Sequence, residues 1–412
     1  MWARECGNCW EIALSLTIPV SDPDPPALAQ HDSTELLSIS RVRLSDAMPF
    51  SDFQGNAETV TRLREMLARD RLPHAIIVAG ARGAGKYKLA QMTAKALNCL
   101  KRPKSDGLPD FCGACSNCLR IGEADDLAAR FAEAVSARED LREADKRDTR
   151  LLIQTHPDVL VIPPDPPQMM IKVGQVRRVI ETIYFRPSEG REAVYIFTDS
   201  AFMKEAANSL LKILEEPPGF ATMFLLTENL GELLPTIRSR AITLTLAALP
   251  AAEIEACLAR MRPELHARQR NLVARLSGGA VGAALAFDLA AYVTARKDAL
   301  ALLATATHPQ DHSELFKVTE TYRAGAEGKD KTEELIRTLY WLLEDLLFLK
   351  SGTPELVRNT DIAPELGRMV QAVDFAWITA ASERLGEVES GMRRNLLRSL
   401  SLDAFVTALE RV

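Results

Sequence analysis

The chain has 412 residues, of which 47% are hydrophobic, so it can bury a large core and is expected to divide into two or three domains. Its 50 basic and 56 acidic residues give a formal charge of −6, which excludes an overall basic field able to hold nucleic acid unaided. No run of about 18 uncharged apolar residues occurs, so we expect a cytoplasmic protein without a transmembrane helix.

Residues 1–45 are predicted to be a disordered or doubtful N-terminal extension. Residues 21–29 are rich in proline and aspartate, a composition that cannot bury enough apolar surface to fold. Residues 12–20 are apolar, but neither a basic stretch before them nor a small-residue cleavage site after them indicates a signal peptide. Cys6 and Cys9 lie in this extension without nearby partners, and we interpret their spacing as accidental. A translation start placed too far upstream would produce the same pattern.

Residues 80–87 read GARGAGKY and match the phosphate-loop pattern G-x-x-x-x-G-K-[S/T] except at the last position. The apolar run 75–79 before them predicts a buried strand, and residues 88–97 after them predict a helix, which is the order that such a loop requires. Glycine N–H groups and the lysine would surround phosphates, whereas the missing Ser/Thr hydroxyl would have held Mg²⁺. The alternative is a glycine-rich turn that never meets phosphate. The pattern predicts a degenerate nucleotide site formed by Gly80, Gly83, Gly85, Lys86 and Tyr87.

Four of the seven cysteines have the spacing of metal ligands. Cys112, Cys115 and Cys118 are separated by two residues each, and Cys99 lies 13 residues before Cys112. Two overlapping C-x₂-C units with a fourth upstream thiol can converge on one tetrahedral ion, so we predict a zinc site. A redox dithiol and unliganded cysteines are the alternatives. Cys257 stands alone in a helical pattern and is predicted to be a small core residue.

Strands and helices alternate after this cysteine cluster. Residues 123–150, dense in Ala, Asp, Glu and Arg, predict an exposed helical insertion. Apolar runs then predict strands at 159–162, 193–199 and 222–227, with helices at 171–182 and 201–214 between them. This alternation predicts a parallel sheet with helices on both faces. Two of the strands end in a polar residue, Asp199 and Thr227, at the edge where such sheets present functional side chains. From about residue 250 onward the chain is predicted to be helical, with a break at Gly278 and Gly279.

Between Phe50 and Leu246 the segments HAIIVAG, THPDV, IKVGQVR, AANSLLKILEEPP and LLPTIRSR, together with the cysteine insertion, resemble the bacterial clamp-loader AAA+ proteins of DNA polymerase III. Within that family the motifs are most similar to the delta-prime branch. The resemblance implies an α/β P-loop AAA+ domain with a parallel sheet and a Cys₄ zinc insertion at 46–247. It further implies a small helical lid domain at 248–295 and an all-α collar domain for oligomerisation at 296–412.

Three positions depart from the hydrolysing members of the family that the chain resembles. Besides Tyr87, the acid Asp199 is followed by Ser200 instead of the glutamate that orients the attacking water. Gly282 stands where the resemblance places a sensor arginine, while Thr227 matches the polar sensor position. Since metal, positioning and charge provide most of phosphoryl-transfer catalysis, the three losses together predict a subunit without useful ATP hydrolysis. Binding of ATP without turnover is left open.

Ser239-Arg240-Ala241 resembles the family's Ser-Arg-Cys motif, which implies that Arg240 acts as an arginine finger on a neighbouring ATPase subunit. A surface arginine in a polar loop is the alternative, and Arg238 lies outside the motif. The implied partners are the tau/gamma ATPases, delta, the sliding clamp and primed DNA, without a membrane.

The predicted function is that of a stator-like subunit that helps load the clamp during replication. The alternatives are an active tau/gamma-type ATPase and a zinc-dependent nucleic-acid-binding module. The negative charge, and the lack of interleaved basic and aromatic residues near 112–118, count against the nucleic-acid-binding module.

Overall fold

A computed structural model describes residues 49–142, 146, 149–307, 312–323, 325–393 and 397–410. Residues Leu44–Val412 form one compact unit by their contacts. The predicted N-terminal extension, with Cys6 and Cys9, lies outside the described residues. In the described part of the chain, no helix is both long enough and apolar enough to cross a membrane.

The described residues contain a mostly parallel sheet and a short hairpin. The strands are β1 Ala75–Ala79, β2 Lys104–Ser105, β3 Leu108–Pro109, β4 Ile153–His156, β5 Val159–Ile162, β6 Ala193–Phe197, β7 Ala221–Thr227 and β8 Ile242–Thr245. The sheet has the order β4-β5-β6-β7-β1-β8, and β2 pairs with β3 in an antiparallel hairpin. All neighbours in the sheet are parallel except β4, which runs antiparallel to β5. The predicted parallel sheet is confirmed.

Helices connect the strands of the sheet. They are α1 Ala57–Ala68, α2 Lys86–Asn98, α3 Ser116–Gly122, α4 Leu127–Glu139, α5 Val173–Ile183, α6 Lys204–Glu215 and α7 Pro235–Arg238. Short 3₁₀ turns lie at Phe50–Asp52 and Leu230–Glu232. The helix α4 falls within the predicted insertion at 123–150, and none of its side chains is buried among the described residues, as its charged sequence predicts.

Helices cover both faces of the sheet because successive strand residues point to opposite sides. Ile76 and Val78 of β1 pack in one core with residues of α1 and α2. Ile77, between them, packs in a second core with residues of α5 and α6. All five residues of β1 are buried, which explains why this strand is apolar throughout its length.

Only helices and 3₁₀ turns follow β8 in the described residues. They are α8 Ala251–Met261, α9 Ala267–Leu276, α10 Val281–Leu285, α11 Leu289–Thr307, α12 Ser313–Glu320, α13 Gly325–Lys350, α14 Ala363–Ala372, α15 Phe375–Arg393 and α16 Arg398–Leu409, with 3₁₀ turns at Pro354–Leu356 and Thr360–Ile362. The predicted all-helical C-terminal region is confirmed, and the predicted break at Gly278 falls between α9 and α10. A small core around Ile254 and Leu258 unites α8 to α10, and a separate larger core around Leu339 unites later helices. The proposed boundaries of a lid at 248–295 and a collar at 296–412 remain predictions.

Candidate functional site

The phosphate loop follows β1 at the carboxyl edge of the sheet. Gly83 and Gly85 have φ angles of +80° and +94°, in the left-handed region that favours glycine. The Lys86 ammonium donates hydrogen bonds to the carbonyl oxygens of Gly80 and Ala81, at 2.7 and 2.9 Å. Burial lowers the pKa of Lys86, while the nearby carboxylates of Glu228 and Asp199 act to raise it. The predicted loop is therefore formed, and its lysine is held by the loop's own backbone.

The start of α10 packs directly on this loop. The backbone N–H of Gly282 donates a 2.8 Å hydrogen bond to the carbonyl oxygen of Gly83. A Cβ added at Gly83 would lie 2.5 Å from the backbone nitrogen of Ala283, and one added at Gly282 would lie 2.8 Å from the Gly83 oxygen. Both positions thus require glycine for this approach of backbone to backbone. The glycine that replaces the expected sensor arginine is what lets α10 contact the loop.

The Tyr87 hydroxyl is engaged on the side of α2 that faces the cysteine insertion. It donates a 2.6 Å hydrogen bond to the carbonyl oxygen of Ala124 and accepts one of 2.6 Å from the Gln91 side-chain amide. Burial raises the pKa of Tyr87, so the phenol stays protonated and can donate at neutral pH. The residue at the position of the magnesium-binding hydroxyl therefore contacts Ala124, six residues after the last of the four clustered cysteines.

The carboxyl ends of β6 and β7 bring together the other residues that the sequence singled out. Asp199 accepts a 2.8 Å hydrogen bond from a backbone N–H two residues further on. The Thr227 hydroxyl donates to the Ser200 hydroxyl at 3.0 Å, and the Ser200 hydroxyl donates to the Glu232 carboxylate at 2.5 Å. Sequence reasoning missed Glu232, because it lies in the 3₁₀ turn after β7 and belongs to no motif. Thr227 and Ser200 are both buried, so this hydroxyl chain is part of the packed edge of the sheet.

The four predicted metal ligands converge. The Sγ atoms of Cys99, Cys112, Cys115 and Cys118 all lie within 4.8 Å of one another, and three of these residues are buried. Tetrahedral zinc, with Zn–S bonds of about 2.3 Å, places its sulfurs about 3.8 Å apart, which fits this cluster. The backbone N–H of Cys112 donates to the Cys99 sulfur at 3.3 Å, and a bond of this kind stabilises a thiolate. The predicted convergence is confirmed, and the cluster can bind a metal.

A buried arginine anchors the hairpin that lies between the first two of these cysteines. The Arg64 guanidinium, on α1, donates to the carbonyl oxygens of Ser105, Leu108 and Pro109 at 2.6, 3.1 and 3.0 Å. Asp110 accepts a 2.6 Å hydrogen bond from the Ser105 hydroxyl. These contacts fix the insertion on the sheet domain. Neither Arg64 nor Asp110 stands out in the sequence, because only folding brings the two elements together.

The THPDV segment has a structural role. The Asp158 carboxylate accepts hydrogen bonds from the backbone N–H groups of Ser188, Glu189 and Gly190 at 2.7, 2.9 and 2.6 Å. Burial acts to raise the pKa of Asp158, but these bonds outweigh it and lower the pKa below its ordinary value. His156 is buried, which lowers its pKa, and its Nδ1 accepts from the Asp158 N–H at 3.2 Å. The segment fixes the loop that precedes β6.

The predicted arginine finger lies at the amino ends of the parallel strands, whereas the phosphate loop lies at their carboxyl ends. The Arg240 guanidinium donates to the Glu215 carboxylate at 2.8 Å and to the Thr236 carbonyl oxygen at 3.0 Å. Ile76 pairs with Ile242, so Arg240 precedes β8 beside the amino end of β1, whereas the loop follows its carboxyl end. The length of β1 alone separates the two ends by roughly 16 Å. The Arg240 side chain is 36% exposed.

Residues 55–250 match the profile of a family described as DNA polymerase III, delta subunit. DNA polymerase III subunit tau of Escherichia coli is 29% identical over 241 residues, which cover 57% of this chain and 32% of tau. DNA polymerase III subunit delta' of Pseudomonas aeruginosa is 30% identical over 207 residues, 50% of this chain and 53% of its own length. The delta' subunit of Bacillus subtilis is 31% identical over 194 residues, 47% of this chain and 48% of its own.

The chain thus spans about a third of the tau relative and about half of the two delta' relatives. Among solved structures, a DNA polymerase III gamma subunit-related protein of Thermotoga maritima aligns with 85% of this chain and 99% of its own, at 18% identity. Its TM-score is 0.37, and a likeness at that level supports no conclusion about the site.

Proposed function

We propose that this chain is a clamp-loader subunit that does not itself hydrolyse ATP, because residues 55–250 match the profile described as DNA polymerase III, delta subunit, and its relatives include tau and delta' subunits of DNA polymerase III. The observation that carries the proposal is the position of Tyr87, whose hydroxyl is bound to Ala124. A phosphate loop without a free hydroxyl at this position lacks one of its ligands for Mg²⁺. Such a subunit supports its partners in loading the sliding clamp onto primed DNA during replication.

Two further contacts support the absence of turnover. The Ser200 hydroxyl, in the place of a catalytic glutamate, is hydrogen-bonded to Glu232 and Thr227. Gly282 brings no positive charge to the phosphates, because it has no side chain and its N–H is bonded to Gly83. Phosphoryl transfer depends on metal, water orientation and charge stabilisation, and each of the three is weakened here.

Arg240 supports a role in a neighbouring subunit's site. It lies at the edge of the sheet remote from its own phosphate loop, and its guanidinium is partly exposed. Its ion pair with Glu215 is exposed to solvent and is therefore weak enough to exchange for a phosphate. An arginine supplied from another subunit raises phosphoryl-transfer rates by about 10³ to 10⁵. Arg240 is the proposed finger for a tau/gamma-type ATPase.

The four-cysteine cluster is the proposed zinc site, since thiolates at this spacing and geometry suit a structural zinc ion. The remaining partners in the proposal are delta, the clamp and primed DNA. The helices after residue 295 provide the proposed surface for assembly into the hetero-oligomer.

A measurement of ATP hydrolysis by the purified chain tests this function. We expect a rate with Mg²⁺-ATP and primed DNA that is indistinguishable from that of the Lys86→Ala variant, which lacks the loop's charge. Addition of an ATPase partner should produce hydrolysis that persists when this chain carries Lys86→Ala. Turnover by the chain alone that Lys86→Ala abolishes would contradict the proposal and establish the alternative, an active tau/gamma-type motor.

One observation favours that alternative. The carboxylate of Glu232 lies 2.5 Å from the hydroxyl of Ser200, so an acid from the turn after β7 sits beside the position of the missing glutamate. If the chain hydrolyses ATP, Glu232 is the candidate for orienting the attacking water. Glu232→Gln would then abolish turnover while leaving nucleotide binding intact.

A further inference from the structure

We propose that Tyr87 is a positioning residue for the four-cysteine metal site: its hydroxyl binds Ala124, at the end of the cysteine-bearing segment 99–124 (here the insertion), to α2, and this clasp sets how long the metal is held. The inference rests on the proposed metal site, and it gives a structural role to the residue that replaces the magnesium-binding hydroxyl.

Helix α2 connects the phosphate loop to the first metal ligand. Tyr87 lies in its first turn, and Cys99 directly follows its last residue, Asn98. A 13-residue helix is about 20 Å long. The two residues therefore mark opposite ends of one rigid element.

The insertion leaves this helix at one end and returns to it at the other. After Cys99 the chain forms the hairpin and then α3, whose first turn carries Cys118. The chain leaves α3 and reaches Ala124, which is 2% exposed and whose carbonyl oxygen accepts the Tyr87 hydrogen bond at 2.6 Å. The segment from Cys99 to Ala124 is thus closed twice, by the thiol cluster at one end of α2 and by Tyr87 at the other.

Neighbouring side chains reinforce the clasp. The Gln91 amide donates to the Tyr87 hydroxyl at 2.6 Å, which orients the phenol. The next residue after Ala124, Asp125, is ion-paired with Lys95 at 2.5 Å and lies 3.8 Å from the Lys88 ammonium. Both of these lysines belong to α2. The end of the insertion is therefore held by one neutral hydrogen bond and by ion pairs with the same helix.

Closing a loop at one point lowers the entropy lost when it is closed at a second point. With the clasp in place, the helix that carries Cys118 is already aligned with the helix that ends at Cys99, so metal binding has less chain to order. Without the Tyr87 hydroxyl, the buried Ala124 carbonyl loses its donor, and an unsatisfied buried acceptor is costly. The segment around Ala124 would then separate from α2 more often, and α3, which carries Cys118, would release the metal more readily.

The experiment uses the full-length protein loaded with zinc. Bound zinc is first measured by elemental analysis, and its transfer to a chelating dye is then followed in time. We expect Tyr87→Phe to release zinc about tenfold faster, the change that corresponds to loss of about 1.4 kcal/mol from one hydrogen bond to a buried group. Tyr195→Phe is the matched control, because its buried ring also has a hydroxyl hydrogen bond, at 3.2 Å to Thr182, but in the other core.

Equal release rates for wild type, Tyr87→Phe and Tyr195→Phe would overturn the clasp. A wild-type protein that holds no zinc would overturn the metal site itself, so the two failures are distinguishable. If Tyr87→Phe does not fold, Asp125→Asn is measured instead, since it weakens the ion pairs that hold the residue after Ala124 to Lys88 and Lys95 of α2 and leaves the phenol in place. Faster release from Asp125→Asn supports the clasp, and an unchanged rate overturns it.

Discussion

At the scale of single residues, the phosphate loop depends on glycine for two different reasons. Gly83 has a φ of +80°, which costs any other residue about 1–2 kcal/mol. It also lies against α10, where a Cβ would meet the backbone nitrogen of Ala283 at 2.5 Å. The first reason is common to many turns. The second exists only because a distant part of the chain packs against the loop.

Replacing Gly83 by alanine should separate these two effects. We expect Gly83→Ala to lower the free energy of unfolding by about 2–4 kcal/mol, since strain in the left-handed region adds to a clash with backbone that cannot move aside. Denaturant unfolding of the full chain measures the loss. Gly278→Ala is the control: φ is +59°, but among the described residues no atom lies within 4 Å of the added Cβ. Equal losses in the two variants would contradict the contact between loop and α10.

At the scale of elements, one carboxylate holds the loop between α5 and β6. Asp158 follows β4 in the THPDV segment and accepts hydrogen bonds from three successive backbone N–H groups, beginning at Ser188. Because the charged form is the better acceptor, these bonds lower the pKa of Asp158 in the folded protein. The attachment of this loop should therefore depend on pH.

Asp158→Asn tests this dependence. The carboxylate contributes stability that is fully present above its ordinary pKa of 3.8 and is lost as the pH falls through the lower folded-state pKa. We expect the variant to be less stable than wild type by about 1–3 kcal/mol at pH 7, and the difference to shrink as the pH falls below 4. Unfolding followed across this range measures it, with Asp52→Asn, at an exposed position, as the control. A deficit for Asp158→Asn that is the same at pH 7 and pH 3 would show that the carboxylate's charge is not responsible.

At the scale of the whole molecule, the phosphate loop and Arg240 lie at opposite ends of two neighbouring parallel strands. The phosphate loop follows the carboxyl end of β1, and Arg240 precedes the amino end of β8. A parallel sheet fixes this separation, because its strands all run from one edge to the other. This arrangement supports the proposal that the chain acts on a neighbour's nucleotide while its own loop does not hydrolyse ATP.

The proposed action of Arg240 on a neighbouring subunit is tested with Arg240→Ala in the reconstituted complex. We expect the DNA-stimulated ATPase at the neighbouring site to fall by about 10³-fold or more, because a trans arginine stabilises charge in the transition state. Arg238→Ala is the control, since this exposed arginine is only two residues away but lies outside the motif. Complex assembly is checked separately by size. An ATPase that Arg240→Ala leaves unchanged in an intact complex would remove the proposed finger.

Much of the fold could be predicted because its signals are local. The run at 75–79 is apolar throughout and the run at 222–227 is apolar between its two terminal threonines, and both lie in buried strands of the sheet. Glycine spacing marked the phosphate loop, and cysteine spacing marked the four thiols that converge. The strands β4 and β8 and the hairpin β2-β3 were not predicted. They are only two to four residues long, and β8 is largely exposed, so they have little periodicity to detect.

The sequence by itself determined the order of elements, the set of candidate ligands and the three departures from a hydrolysing site, since each depends on which residues occupy neighbouring positions in the chain. The tertiary structure alone decided what those departures contact. Tyr87 reaches Ala124, Gly282 reaches Gly83, and Ser200 reaches Glu232, over separations of 37, 199 and 32 residues. Contacts of this kind arise when folding brings distant segments of the chain together, and no local sequence pattern records which partner a side chain will find.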